Sequence, residues 1–121
     1  MMSNVVEDKS FEFAVDIIKA ARKLRTATKE HDLASQLQRS GTSIGANVRE
    51  AQRAQTGKDF VFKMSIASKE ASETVYWLKL LEATELINRE EAKPLLEKAL
   101  ELQRILISIV KTKQERLKTD K

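Results

Sequence analysis

Lys58 to Thr84 reads KDFVFKMSIASKEASETVYWLKLLEAT, and Phe60, Met64, Ala67, Ala71, Thr74, Leu78 and Leu81 recur within it at alternating steps of four and three. That spacing keeps one stripe of an α-helix apolar or small along its whole length, whereas the faces of a strand alternate every second residue. A seam this regular belongs to a helical bundle, in which each helix offers a stripe to its neighbours. The stretch predicts a long helix over residues 58–84.

Upstream, Leu33, Leu37, Gly41, Ile44, Val48, Ala51 and Gln55 repeat the pattern and predict a helix over 33–55, with a turn near Thr56 and Gly57. A polar connection, Thr26 to Asp32, precedes it. The first helix is expected over 10–25, with Ser10 as N-cap and Phe11, Ala14, Ile17 or Ile18, Ala21 and Leu24 as its seam. Downstream, Asn88 followed three residues later by Glu91 has the form of a capping box and opens a fourth helix over 89–117. Pro94 in its second turn deletes one backbone hydrogen bond, which predicts a mild kink or a late start. Two stripes run along that helix, one of Leu95, Ala99, Leu102, Leu106 and Ile109, the other of Leu96, Leu100, Ile107 and Val110. A monomer would leave the second under-covered, so subunit burial is expected. The chain of 121 residues thus predicts one all-α domain over 1–121, an antiparallel up-and-down four-helix bundle with a short flexible N-terminus and a basic C-terminal tail.

Composition excludes several functions. One Pro, three Gly and no Cys leave too few turn formers for an all-β fold and no thiolates for disulfides or metal. No apolar run has the length of a membrane span or a signal peptide, so a cytoplasmic protein without membrane contact is expected. Glu50, Glu70 and Glu73 lie on facing stripes, as in di-iron bundles, but such sites need Glu-x-x-His pairs and His31 is the chain's only histidine. A hydrolase triad fails on the same count. Gly41 and Gly45 fall inside a helix with no strand before them, so they form no phosphate loop. No catalytic residue, metal ligand or cofactor is assigned.

Beside the apolar seam of the second helix runs a stripe of small and polar side chains, Gln36, Ser40, Ser43, Asn47, Glu50 and Ala54. Folding about the Thr56–Gly57 turn sets it against Asp59, Lys63, Ile66, Glu70, Glu73 and Trp77 of the third. Glu50 then faces Lys63, Ser43 faces Glu70, Arg39 and Ser40 approach Glu73, and Gln36 meets Trp77. Ser43 and Asn47 are expected to be largely buried. Gly41 and Gly45 each cost up to about 1 kcal/mol of helix propensity, which close approach of another helix would offset.

The run QLQRSGTSIGANVREA over residues 36–51, with Lys58-Asp59-Phe60 and KEASETVYWL over 69–78, resembles the bacterial four-helix-bundle family of ribosomal-RNA intervening-sequence proteins. The likeness spans Phe11 to about Lys113, and Arg39 through Asn47 is its most specific part. It implies a ring-like homopentamer with no established catalytic activity, from a family encoded in some bacteria within insertions in the large-subunit ribosomal RNA gene and often labelled ribosomal. A related family of retroelement accessory proteins has a similar pentameric bundle that binds a reverse transcriptase and nucleic acid. On this resemblance Arg39, Ser40, Thr42, Ser43, Asn47, Glu50, Asp59, Glu70 and Glu73 are motif or interface residues.

Charge points to a partner. The 22 basic and 18 acidic side chains leave a net charge of +4, and their distribution is uneven. In an up-and-down bundle the turn between the second and third helices and the end of the fourth share one pole. Arg49, Arg53, Lys58, Lys63, Lys111, Lys113, Arg116 and Lys118 converge there as candidate nucleic-acid contacts. The basic end of the first helix instead meets Glu82, Glu85, Glu90 and Glu91. Two function classes follow, an oligomer that binds structured RNA or DNA, and a protein-interaction scaffold or accessory subunit of a nucleic-acid-processing protein that makes no direct nucleic-acid contact.

Overall fold

The computed structural model describes residues 4–119, which form α1 (Val5–Ala27), α2 (His31–Gln52), α3 (Gly57–Ala83) and α4 (Arg89–Thr119). Each helix packs on the next in sequence, and α1 closes the ring against α4 through a smaller contact. Short connections make neighbours antiparallel, giving an up-and-down bundle.

Helix ends are set by local chemistry. The Oδ1 of Asn4 accepts from the Glu7 backbone N–H at 3.1 Å, and Glu7 and Asp8 place negative charge in the first turn of α1. The helix therefore starts five residues before the expected cap, Ser10, which is fully buried and donates to the Glu7 carbonyl at 3.1 Å. With Ser10 inside, the seam runs Val6, Ser10, Phe13, Ile17, Ala21, Leu24. Phe13 enters the core, and Phe11, expected there, is 69% exposed. The expected flexible N-terminus is thus helical from Val5, and α4 carries the tail on to Thr119. Residues 1–3 and 120–121 lie outside the described residues.

At the other junctions, α2 begins at His31, earlier than expected, and stops at Gln52, so Ala54 and Gln55 belong to the turn. Gly57 opens α3, capped by Thr56, whose Oγ1 accepts from the Asp59 N–H at 3.0 Å. Asn88 caps α4 by accepting from the Glu91 N–H at 2.8 Å, but the Glu91 carboxylate does not close the box, pairing instead with Lys23 at 2.9 Å. The helix continues through Pro94 from Arg89, so the late start does not occur. Glu85, in the α3–α4 connection, has a left-handed backbone with φ 64°.

The core is a column of fully buried side chains from all four helices, including Phe13, Ile17, Leu37, Ile44, Met64, Leu78, Leu81, Leu102 and Leu106. Burying each large aliphatic contributes about 1.5–3 kcal/mol. The α2 glycines meet α1: a Cβ at Gly41 would lie 2.6 Å from Cγ2 of Ile17, and one at Gly45 would lie 3.2 Å from the Ser10 carbonyl oxygen. Of the second α4 stripe, Leu96 and Val110 are half-buried, while Leu100 and Ile107 are 36% and 53% exposed.

Candidate nucleic-acid interface

The α2–α3 seam holds the polar pairs. Arg39 Nη1 donates to the two Glu70 oxygens at 3.2 and 3.4 Å, and its Nη2 donates to Glu73. Trp77 Nε1 donates to the same Glu73 oxygen at 3.2 Å. Partial burial raises the pKa of Glu73, but the hydrogen bonds from Trp77 and Arg39 outweigh it and hold the carboxyl below its ordinary value. The bonds to Glu73 and then Glu70 push Arg39 up in turn. One turn away, Thr74 Oγ1 donates to Ser40 Oγ at 3.0 Å, with both residues fully buried. Nearer the turn, Lys63 Nζ donates to Glu50 Oε1 at 2.8 Å.

Other stripe residues behave differently from expectation. Ser43 Oγ donates to the Arg39 carbonyl at 2.7 Å, Thr42 to the Gln38 carbonyl at 2.8 Å, and Asn47 Nδ2 to the Ser43 carbonyl at 2.8 Å. Short polar side chains within a helix readily turn back onto the preceding turn. Ser43 and Asn47 are consequently half-buried rather than enclosed, and Arg39, with a longer reach, takes the place opposite Glu70. The Trp77 indole satisfies its N–H with Glu73, while Gln36 is exposed. Asp59 is exposed in the first turn of α3.

The chain direction brings the end of α2, the start of α3 and the end of α4 to one pole. Arg49, Arg53, Lys58, Lys111, Arg116 and Lys118 are exposed there, whereas Lys63 and Lys113 are half-buried. Among the described residues only Lys63 of these eight forms an ion pair, and Lys113 Nζ lies 6.0 Å from the Phe60 ring centroid. Two acids outside the sequence expectation share this pole. The early start of α1 puts Glu7 and Asp8 at this same pole, where Glu50, Asp59 and Glu115 also stand. The Asn4-to-Glu7 spacing was the signal for them.

Beyond the start of α1, a cleft of about 560 Å³ opens between the end of α2 and α4. Ala51, Ala54, Gly57, Phe60 and Ile109 give it apolar walls, and Gln52, Gln55, Thr112, Lys113 and Arg116 give it polar ones. It exists because α4, at 31 residues, outruns α1, at 23. Sequence periodicity does not reveal it, since Phe60 reads there as ordinary core. At the far pole Lys23 pairs with Glu91, and Arg25 donates to Gln38 at 2.8 Å.

Among the described residues no cluster of three or more His, Cys, Asp or Glu side chains is arranged to hold a metal ion, and no helix is long and apolar enough to cross a membrane. Fold and site together define a class, the small up-and-down four-helix-bundle protein with a hydrogen-bonded α2–α3 seam and cations gathered at one end. The 23S rRNA-intervening sequence protein family model matches residues 2–108, and the chain belongs to that family. A crystal structure of a protein of unknown function from the S23 ribosomal protein family of Bacteroides thetaiotaomicron VPI-5482 is 50% identical, with a TM-score of 0.86 over 88% of this chain and 98% of that one. Comparison with curated proteins gives no match.

Proposed function

We propose that this protein is a non-enzymatic homo-oligomer, a pentamer, that binds structured RNA through its basic pole. The carrying observation is the set of exposed cations at the α2–α3 turn and the α4 end that have no acidic partner within the chain, among the described residues. Ion pairs engage Lys9, Lys23, Arg39 and Lys98 along the helix seams, whereas at the pole Lys63 alone is engaged in this way among the described residues. The name of the family supports RNA as the ligand, and the exposed Leu100 and Ile107 support coverage of α4 by a neighbouring subunit. Repetition around a ring would multiply the field at each pole.

Phosphate contacts predict an affinity that falls linearly with log salt at a slope of about −0.7 to −0.9 per neutralised phosphate, with little sequence preference. Replacing Arg53, Lys58, Lys111 and Lys113 together by Glu should abolish the gel shift of ribosomal RNA fragments while leaving the assembly intact by light scattering. Unchanged RNA retention by that folded variant would refute the assignment and favour the protein-scaffold function. A concentration-independent mass near the 13.8 kDa of one chain would remove the oligomer.

A further inference from the structure

From the polar cleft at the α2–α3 turn we infer that the ligand presents unpaired nucleotides, one of which inserts its base beside Phe60 while its phosphate meets Lys113 and Arg116. This rests on the nucleic-acid function proposed above and deepens it. The cleft's volume, about 560 Å³, falls within the range of small-ligand sites. Its lining combines one aromatic ring, the amides of Gln52 and Gln55, and two cations, and it contains no carboxylate. The hollows beside Phe62 and between α1 and α4 each contain carboxylates, Glu50 and Asp59 in one and Glu12 and Glu101 in the other. The groove lined by Ile107, Val110 and Lys111 lacks both acid and aromatic ring.

The ligand that matches this lining has a flat apolar body, an edge that both gives and accepts hydrogen bonds, and an attached anion. A nucleotide has all three. A side-chain amide can read a base edge, an aromatic ring offers its face or edge, and neighbouring cations hold the phosphate. A base in a duplex cannot enter, because its edge is paired and its faces are stacked. The cleft therefore selects loops, bulges or single strands, whereas the cations around it would attract a duplex as well. Lys113, 6.0 Å from the Phe60 ring, links the two functions, since it stands over the aromatic wall and on the basic pole at once.

The test compares fluorescence anisotropy of an unstructured single-stranded RNA and a duplex of equal length on the full chain at fixed salt. The unaltered protein should prefer the single strand. Phe60→Leu keeps an apolar side chain at a half-buried position and should lower single-strand affinity about tenfold, with duplex affinity and salt slope unchanged. Ala54→Phe acts outside the helices, in the turn, and should give the same selective loss by filling the cleft, which keeps the test decisive should Phe60→Leu perturb folding. Equal affinity for both probes that neither variant alters would overturn the inference and leave electrostatic RNA binding standing. Absence of binding to either probe by the unaltered protein would remove both.

Discussion

Gly41→Ala and Gly45→Ala make the same chemical change four residues apart on α2, and the structure assigns them different costs. A methyl at position 41 would lie 2.6, 2.9 and 3.0 Å from Cγ2, Cγ1 and Cβ of Ile17. Ile17 is fully buried and β-branched, so its χ1 is held in one helical rotamer and it has no room to swing aside. Overpacking of that kind costs about 1–3 kcal/mol. At position 45 the nearest atom is the Ser10 carbonyl oxygen at 3.2 Å, which a helix shift of a few tenths of an ångström would relieve. Both variants gain about 1 kcal/mol of helix propensity. Gly45→Ala should accordingly be neutral or slightly stabilising, and Gly41→Ala should be destabilising by up to about 2 kcal/mol net. The difference between them, from which propensity cancels, is about 1–3 kcal/mol, or roughly 3–6 °C of melting temperature per kcal/mol for a domain of this size. Urea unfolding followed by far-ultraviolet circular dichroism measures it, at one protein concentration because assembly would add its own stabilisation. Equal midpoints for the two variants, or a more stable Gly41→Ala, would refute the close approach of α1 and α2 at Ile17.

Glu73, whose carboxyl is held below its ordinary value of 4.5, contributes stability that is present above that pH and lost as pH falls through the lower folded value. Glu73→Gln should flatten this acid limb of a stability–pH curve by under about 1 kcal/mol, since Arg39 is half-exposed and screened. Glu85→Gly should raise stability by about 0.5–1 kcal/mol in the same unfolding assay, because glycine carries no Cβ penalty at φ 64°. Ile107→Glu places a charge on a half-exposed apolar site of α4 and should shift the mass seen by light scattering toward the single chain without altering the helical spectrum.

The parts of the fold legible in the sequence are those that repeat. Phe60 through Leu81 keep their period for six steps, and six of those seven residues, Met64, Ala67, Ala71, Thr74, Leu78 and Leu81, are wholly buried. The start of α1 was less legible because two sound caps compete: Asn4 and Ser10 both accept hydrogen bonds well, and choosing the later one rotates the seam and places Phe11 where Phe13 belongs. Pairing across the seam was legible where side chains are long, as for Glu50 with Lys63. It was not where they are short, because Ser43 and Asn47 reach their own helix before they reach α3. The cleft depends on a mismatch in helix lengths, which no residue pattern encodes.

Register is where the seam and the pole meet. Apolar seams with a seven-residue repeat fit nearly as well after a slip of one repeat, so they specify the contact without specifying its offset. The polar pairs break that degeneracy. Sliding α3 by seven residues one way sets Glu50 against Glu70, two like charges, and encloses the Ser40 hydroxyl against Leu81 with no partner on α3. Sliding it the other way moves Arg39 from Glu70 toward Lys63 and puts Ala67 opposite Ser40. Each exposed pair contributes little in the native offset, but the wrong offsets carry like-charge repulsion and lose the buried hydrogen bond between Thr74 and Ser40, worth about 0.5–1.5 kcal/mol, although Ser40 keeps its bond to the Leu37 carbonyl of its own helix. The four residues between α2 and α3, Arg53 to Thr56, also have no slack to absorb seven. A fixed offset holds Arg53 and Lys58 on either side of one short turn and Leu117 over Gly57, within 2.6 Å of where a Cβ would stand. The α4 cations therefore meet those of the turn because Arg39, Ser40 and Thr74, on the same pair of helices, allow α3 only one position.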